Sequence, residues 1–393
     1  MRGQCSTHWI LSVSSKSSGL PESHARVAIA LHNLHLHAVR PTAPNGVCSG
    51  DTVKRVRRNV SWLSLLCLAV ASSIILISGL IGGSLTSWDE AIYAQVAREM
   101  VKSHDWLTLH YAGAPFFEKP PLVIWLVALA YSAFGMSEFT SRIVPAVFGV
   151  ATIVLVAHVG SRLYDRRTGL IAGVILLLGT VQFPIAYVQT RLAGFVQTFT
   201  WMSRLLMLDV PLTFFSLLTI WCFWESLKRP RFLLLAGIAA GFGFMVKGPA
   251  IIPIVDVVFL FAAVTHRLRT LLKSKLFIIS VGAFLLVALP WHILQIVLYG
   301  QEFLGVYLGY QTILRAVTVL EKNTGSPPYY LGVLLGVFGI WSLPSATGFI
   351  AVLCDYVKRR TEQGLLLISW IAMPLIVFTV AQTKLPWYVV PIY

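Results

Sequence analysis

Seven apolar runs, at 61–85, 143–160, 169–188, 211–227, 276–298, 330–353 and 364–382, recur along the chain. A helix that crosses a bilayer needs about 20 apolar residues, within a range near 17–25. Each run comes close to that length or exceeds it. The composition agrees: 56% of the residues are hydrophobic and only 12% are charged, against about 25% charged in soluble domains. The expected fold is all-α, a polytopic transmembrane helical bundle.

Two shorter segments, 232–246 and 249–264, flank Lys247-Gly248-Pro249 and are expected to form a pair of helices meeting at a bend near one face. The formal charge is +15. It falls in short clusters between apolar runs, which reads as a topology signal rather than a nucleic-acid surface. The clusters are Lys54–Arg58, Arg162–Arg167, Lys228–Arg231, His266–Lys275 and Lys358–Arg360. If all of them are cytoplasmic, Asp89, Glu90, Glu118, Lys119, Asp209, Lys247, Arg315 and Lys384 all fall at the opposite face. Keeping that rule requires 121–160 to be a helical pair with one net crossing.

Residues 1–60 are rich in Ser, His and Arg and lack periodicity, so a disordered cytoplasmic extension is expected ahead of a membrane domain at 61–393. His32, His35 and His37 have nothing nearby to complete a metal site. The five cysteines are scattered, which argues against a disulfide framework or a zinc site. A last apolar segment begins at Lys384 and stops at Tyr393, short of a span, so a missing distal part is expected.

The first external loop concentrates the charge. Ser87-x-x-Glu90 reads as a capping box, with a helix starting near Trp88. Ile92, Val96 and Met100 form an apolar stripe, and Arg98, Glu99 and Lys102 are polar. That pattern is expected of an amphipathic helix lying in the membrane interface. Asp89 can accept a proton or orient a bound cation, or it can simply complement the helix N-terminus. Glu90 fits the cap or a substrate contact. Lys119 can bind a phosphate as a point charge, or snorkel beside Glu118. Asp209 opens a helix two residues before Pro211. Lys247 sits between apolar segments, where an ammonium needs an anion. Lys384 repeats that situation near Pro386. The outer face thus offers cations suited to a phosphorylated lipid and carboxylates suited to a sugar or hydroxyl group. No glycine-rich phosphate loop is present, so a soluble nucleotide donor is not expected.

These residues resemble a known pattern. Asp89-Glu90-Ala91-Ile92-Tyr93-Ala94, Ala97-Arg98-Glu99-Met100, Asp105-Trp106 and Phe117-Glu118-Lys119-Pro120-Pro121-Leu122 look like the ArnT-type branch of GT-C glycosyltransferases, related to protein O-mannosyltransferases. Met207-Leu208-Asp209-Val210-Pro211-Leu212, Lys247-Gly248-Pro249, Pro290-Trp291 and Lys384-Leu385-Pro386-Trp387-Tyr388 continue the likeness in the same order. The resemblance implies an enzyme of GT-C type that moves a sugar from a polyprenyl-phosphate carrier to a lipid or glycan acceptor on the outer face. In the ArnT type the sugar is 4-amino-4-deoxy-L-arabinose and the acceptor a lipid A phosphate. It implies Asp89 and Asp209 as the two loop acids, and Lys119 as the donor-phosphate ligand assisted by Arg315. Lys247 and Lys384 are added to the donor-phosphate group, and Glu90 and Glu118 to the substrate contacts. Glu118 resembles a position that can contact a divalent metal cation. The family often places a His shortly before the matched arginine, where this chain has Tyr310 and Gln311. A transporter or flippase using the same charges, or an inactive remnant, are the competing readings.

Overall fold

In the computed structural model, residues 61–80, 83–86, 88–179, 198–326 and 328–393 are described. The expectations for the 1–60 extension, for the Ser87 half of the capping box and for the end of the 169–188 run lie outside them.

The membrane helices begin with α1 (Trp62–Ser78), whose first turn is capped by the Ser61 side chain accepting from the Ser64 amide. After it comes α2 (Asp89–Ser103), in the loop before the next helices. A small hairpin, β1 (His110–Tyr111) with β2 (Ala114–Pro115), is the sole strand pairing among the described residues. Its turn residues Ala112 and Gly113 both have positive φ, 51° and 80°, as tight hairpin turns require. Glu99 of α2 clamps that turn by accepting from the Ala112 and Gly113 amides at 2.9 and 3.1 Å. The apolar face of α2 is not turned to lipid as its stripe suggested. Tyr93, Val96, Ala97 and Met100 are buried in the protein core with residues of the following helix, such as Val123, Ile124 and Val127.

That following helix is α3 (Leu122–Phe134), launched by Pro120-Pro121, and α4 (Glu138–Leu163) comes next. At 1.5 Å per residue, the 13 residues of α3 reach about 20 Å, short of a hydrocarbon core of about 30 Å. The 26 residues of α4 cross it with room to spare. This length difference agrees with one net crossing over 121–160. Beyond α5 (Arg166–Leu178) and the short α6 (Phe199–Ser203) lies α7 (Asp209–Ser226).

Helices α8 (Phe232–Lys247) and α9 (Ile252–Val264) are joined by a 3₁₀ turn at Gly248–Ile251. Gly248 has φ +60° and lies so close to the Tyr307 hydroxyl that a Cβ would collide with it. Glycine is needed there on both counts. One end of α7 meets Lys247 through Asp209. Near its other end, the Phe223 ring packs 5.5 Å from Phe261 of α9, and Leu233, Phe223 and Phe261 line one cavity. The chain therefore folds back at Lys247-Gly248-Pro249, as the sequence suggested.

After the short α10 (Leu268–Leu272), the long α11 (Lys275–Leu304) kinks at Gly300 and continues as a π-helix, Gly305–Leu314, closed by one helical turn at Arg315–Val317. The 330–353 run is not a straight span. It breaks at Gly339 (φ +50°) into α12 (Tyr329–Phe338) and α13 (Ser342–Arg359), bent by 116°. The left-handed glycine is the physical cause of that correction. α14 (Glu362–Val380) and a 3₁₀ segment at Pro386–Ile392 complete the chain.

Ion pairs identify one end of the bundle without reference to lipid. Arg162 reaches Glu225 at 2.8 Å and Arg267 reaches Glu362 at 2.7 Å. These pairs join the C-terminal ends of α4 and α7, and the loop after α9 to the start of α14. All lie in or beside the basic clusters assigned to the cytoplasm. The opposite helix ends carry the acidic and basic residues of the loops. The described chain is thus a multi-pass membrane bundle with its candidate site at one end.

Candidate active site

Asp209 stands in the first turn of α7, 2% exposed, and its carboxylate accepts from Lys247 Nζ at 2.6 Å. Lys247 is the last residue of α8, and the fold-back at Gly248 directs it there. Its ammonium also lies 5.6 Å from the centre of the Tyr388 ring. Thus the anion that Lys247 was expected to need comes from the protein.

Lys119 precedes Pro120-Pro121 and donates to Gln311 Oε1 at 3.0 Å. Arg315 Nε donates to the same oxygen at 3.0 Å. Arg315 also pairs with Glu321 at 2.8 Å and hydrogen-bonds to Tyr388. Burial drives the Lys119 ammonium down to about 8, helped by the nearby Lys247 cation and opposed by Glu118 and Asp89. Two cations 196 residues apart in sequence therefore converge on one acceptor atom, with a third close enough to be felt.

Asp89 is half-buried at the start of α2. Among the described residues its carboxylate makes no hydrogen bond or ion pair, yet it acts electrostatically on Tyr93, Lys119 and Asp209. Trp88, just before it, has φ +83° and ψ −131°. A non-glycine residue pays about 1–3 kcal/mol to hold such a conformation. The strain sits where the chain turns to aim Asp89. Glu118 is exposed beside Lys119.

Two expected ligands are spent elsewhere. Glu90, 1% exposed, accepts from Arg142 Nε and Nη2 at 2.8 and 3.1 Å, from the Thr86 amide and hydroxyl at 2.7 and 2.8 Å, and from the Leu206 amide at 3.1 Å. Burial pushes its carboxyl up, but Arg142 and the amide donors outweigh that and hold it below its ordinary value. Every acceptor position on Glu90 is engaged by the protein, so it is a positioning residue rather than a substrate contact. It ties the loop before Asp89 to the loop before Asp209. Lys384 donates its ammonium to the carbonyls of Phe378, Thr379 and Ala381, the last turn of α14 and the residue after it. A lysine at a helix C-terminus satisfies orphan carbonyls in this way, which replaces the expected phosphate contact. Its backbone amide meets Asn323 O, and Thr383 N meets Arg315 O, so the same segment braces Arg315.

Arg142 and Tyr388 escaped the sequence reading. An arginine four residues into an apolar helix was the available signal for the first. The second sat inside a motif whose lysine drew the attention. A divalent cation does not fit the described donors: no group of three His, Cys, Asp or Glu gathers among the described residues.

Comparison with known proteins bears on the fold. The profile of dolichyl-phosphate-mannose-protein mannosyltransferases matches residues 118–293, which include Lys119, Asp209 and Lys247. The chain is 28% identical over 311 residues to undecaprenyl phosphate-alpha-4-amino-4-deoxy-L-arabinose arabinosyl transferase 1 of Pseudomonas fluorescens, covering 77% of this chain and 52% of that one. An uncharacterised protein of Aquifex aeolicus is 27% identical over 308 residues, 78% of this chain and 56% of its own. The chain spans little more than half the length of the curated relatives it matches. Among solved structures, ArnT from Cupriavidus metallidurans bound to undecaprenyl phosphate superposes with a TM-score of 0.68 at 23% identity, over 84% of this chain and 58% of that one. An oligosaccharyltransferase of Archaeoglobus fulgidus tethered to an acceptor peptide follows at 0.52 and 15% identity, over 84% and 48%. The chain is therefore similar in sequence to these transferases and has the fold of ArnT.

Proposed function

We propose that this protein transfers a sugar from a polyprenyl-phosphate carrier to a lipid or glycan acceptor of the cell envelope, at the outer face of the inner membrane. The observation that carries the reading is the convergence of Lys119 and Arg315 on one oxygen, beside the unspent carboxylate of Asp89. Two fixed cations at one point suit a phosphate, and they stabilise charge that grows as the phosphate leaves. A lipid-borne donor also explains why no nucleotide-binding loop is needed.

The reaction is a displacement at the anomeric carbon. An acceptor oxygen forms the new C–O bond, the bond from that carbon to the phosphate oxygen breaks, and polyprenyl phosphate departs with the electron pair. A hydroxyl acceptor gives its proton to Asp89, whereas an ionised phosphate acceptor has none to give. Asp209 holds Lys247 beside Tyr388, fixing the positive wall of the site. Glu118, exposed beside Lys119, supplies a carboxylate for sugar hydroxyls in this reading.

The relatives' names favour 4-amino-4-deoxy-L-arabinose as the sugar, and a lipid A phosphate as the acceptor belongs to the same reading. Membranes carrying the chain, supplied with radiolabelled polyprenyl-phosphate sugar, should release polyprenyl phosphate and label an envelope lipid. Label that stays on the carrier with every acceptor offered would refute the proposal. Asp89→Asn separates the acceptor classes. A loss of about 10²–10⁴-fold is expected if Asp89 removes a proton, and a loss below about tenfold if a phosphate attacks directly.

A further inference from the structure

Gln311 has an unusual place. It lies on the π-helix Gly305–Leu314, a rare geometry that recurs at functional sites. Its carboxamide oxygen takes hydrogen bonds from Lys119 and from Arg315, both at 3.0 Å. Lysine and arginine only donate, so the amide must present its oxygen to them. Among the described residues its amide nitrogen donates to nothing, so the side chain is held at this one atom.

We propose that Gln311 is an internal stand-in for the donor: its oxygen occupies the position of a phosphate oxygen between Lys119 and Arg315, and the donor binds by displacing it. This rests on the polyprenyl-phosphate reading above. The amide is neutral, so it satisfies the two cations without cancelling their charge, and the empty site still attracts an anion. A carboxylate at the same place would neutralise the pair and compete as an ion. Gln311 thereby sets both the affinity and the charge preference of the donor site.

The element that carries it is fixed at another point. Tyr307, one π turn earlier, hydrogen-bonds to His292 Nε2 at 2.8 Å, and its hydroxyl rests on Gly248 next to Lys247. The backbone under Gln311 is pinned, and its side chain is held only through the carboxamide oxygen. Arg315, four residues on, is braced separately by Thr383 and Glu321. Removing the Gln311 amide therefore leaves Arg315 in place. A rival role, as a spacer that pre-positions Arg315, predicts the opposite sign on removal.

The test measures binding of undecaprenyl phosphate, with uncharged undecaprenol as control, to the full chain in nanodiscs. Gln311→Ala and Gln311→Asn, too short to span both cations, should each bind about threefold or more tightly than wild type, and Gln311→Glu about tenfold more weakly. Each variant should keep the wild-type unfolding midpoint. Weaker binding by Gln311→Ala, or wild-type binding by both Gln311→Ala and Gln311→Glu, overturns the inference and leaves the donor reading standing. If wild type fails to prefer undecaprenyl phosphate over undecaprenol, or Lys119→Ala binds as wild type does, the donor reading falls and takes this inference with it.

Discussion

Arg142→Ala is expected to destabilise the protein by about 3–5 kcal/mol, because it strands a charge that the fold has buried. The Arg142 and Glu90 side chains are 5% and 0% exposed. Glu90 would keep its bonds to Thr86 and Leu206, but would lose the cation that offsets its burial. Arg142 also donates to the carbonyls of Gly83 and Ser84, so the loop leading to Asp89 loses its anchor on α4. Transfer activity should fall with stability, since the same hub ties the Asp89 loop to the Asp209 loop. The readout is the unfolding midpoint in nanodiscs alongside the transfer rate. A double variant, Glu90→Gln with Arg142→Gln, removes both charges together and should recover much of the midpoint. It should not recover the rate to the same extent, because neutral amides hold the two loops less rigidly than the ion pair. Wild-type stability in Arg142→Ala would show that the pair is ornamental.

This hub also marks the limit of what the sequence can disclose. Spans such as 138–163 and 362–380 were legible because burial in lipid demands long apolar runs, and both are long and apolar enough to cross. The fold-back at Lys247-Gly248-Pro249 was legible because glycine and proline punctuate a helix in the same way in any setting. The clustering of Asp89, Lys119, Asp209, Lys247 and Arg315 at one end followed from the charge rule. What the sequence hides is which partner each charge takes. Lys384 and Lys247 read alike, each a lysine near a proline in apolar surroundings. One lies within reach of helix-end carbonyls and the other opposite Asp209, and only the fold-back and the course of 382–384 beside Arg315 separate them. Glu90 and Asp89 are neighbours of like charge. The helical turn sends one into the core toward Arg142 and leaves the other at the site. Gly339 could bend the 330–353 run or pass unnoticed within it, because a lone glycine costs a helix only about 1 kcal/mol.

The donor site should titrate through Lys119, and the sign follows from its surroundings. Burial and the Lys247 cation bring its ammonium down to about 8, so the free protein loses that charge as the pH rises through this value. A donor phosphate needs the charged form. The donor's kcat/KM should therefore be flat below about pH 8 and fall about tenfold per pH unit above it. A bound phosphate dianion or monoanion adds a negative partner, which raises the lysine again, so the corresponding limb in kcat should move to higher pH. Lys119→Ala should lower kcat/KM by about 10²–10³-fold, the usual cost of losing one charge-stabilising donor at a reacting centre, and should abolish the limb. Lys119→Arg keeps a cation that does not titrate in this range, although its planar fork fits a point-charge site poorly. Its rate should be lower than wild type yet level from pH 7 to 10. A surviving limb in Lys119→Arg would assign the titration to another group. The basic limb and its loss on arginine substitution would together tie the donor's charge to Lys119 itself, rather than to the general positive potential at this end of the bundle.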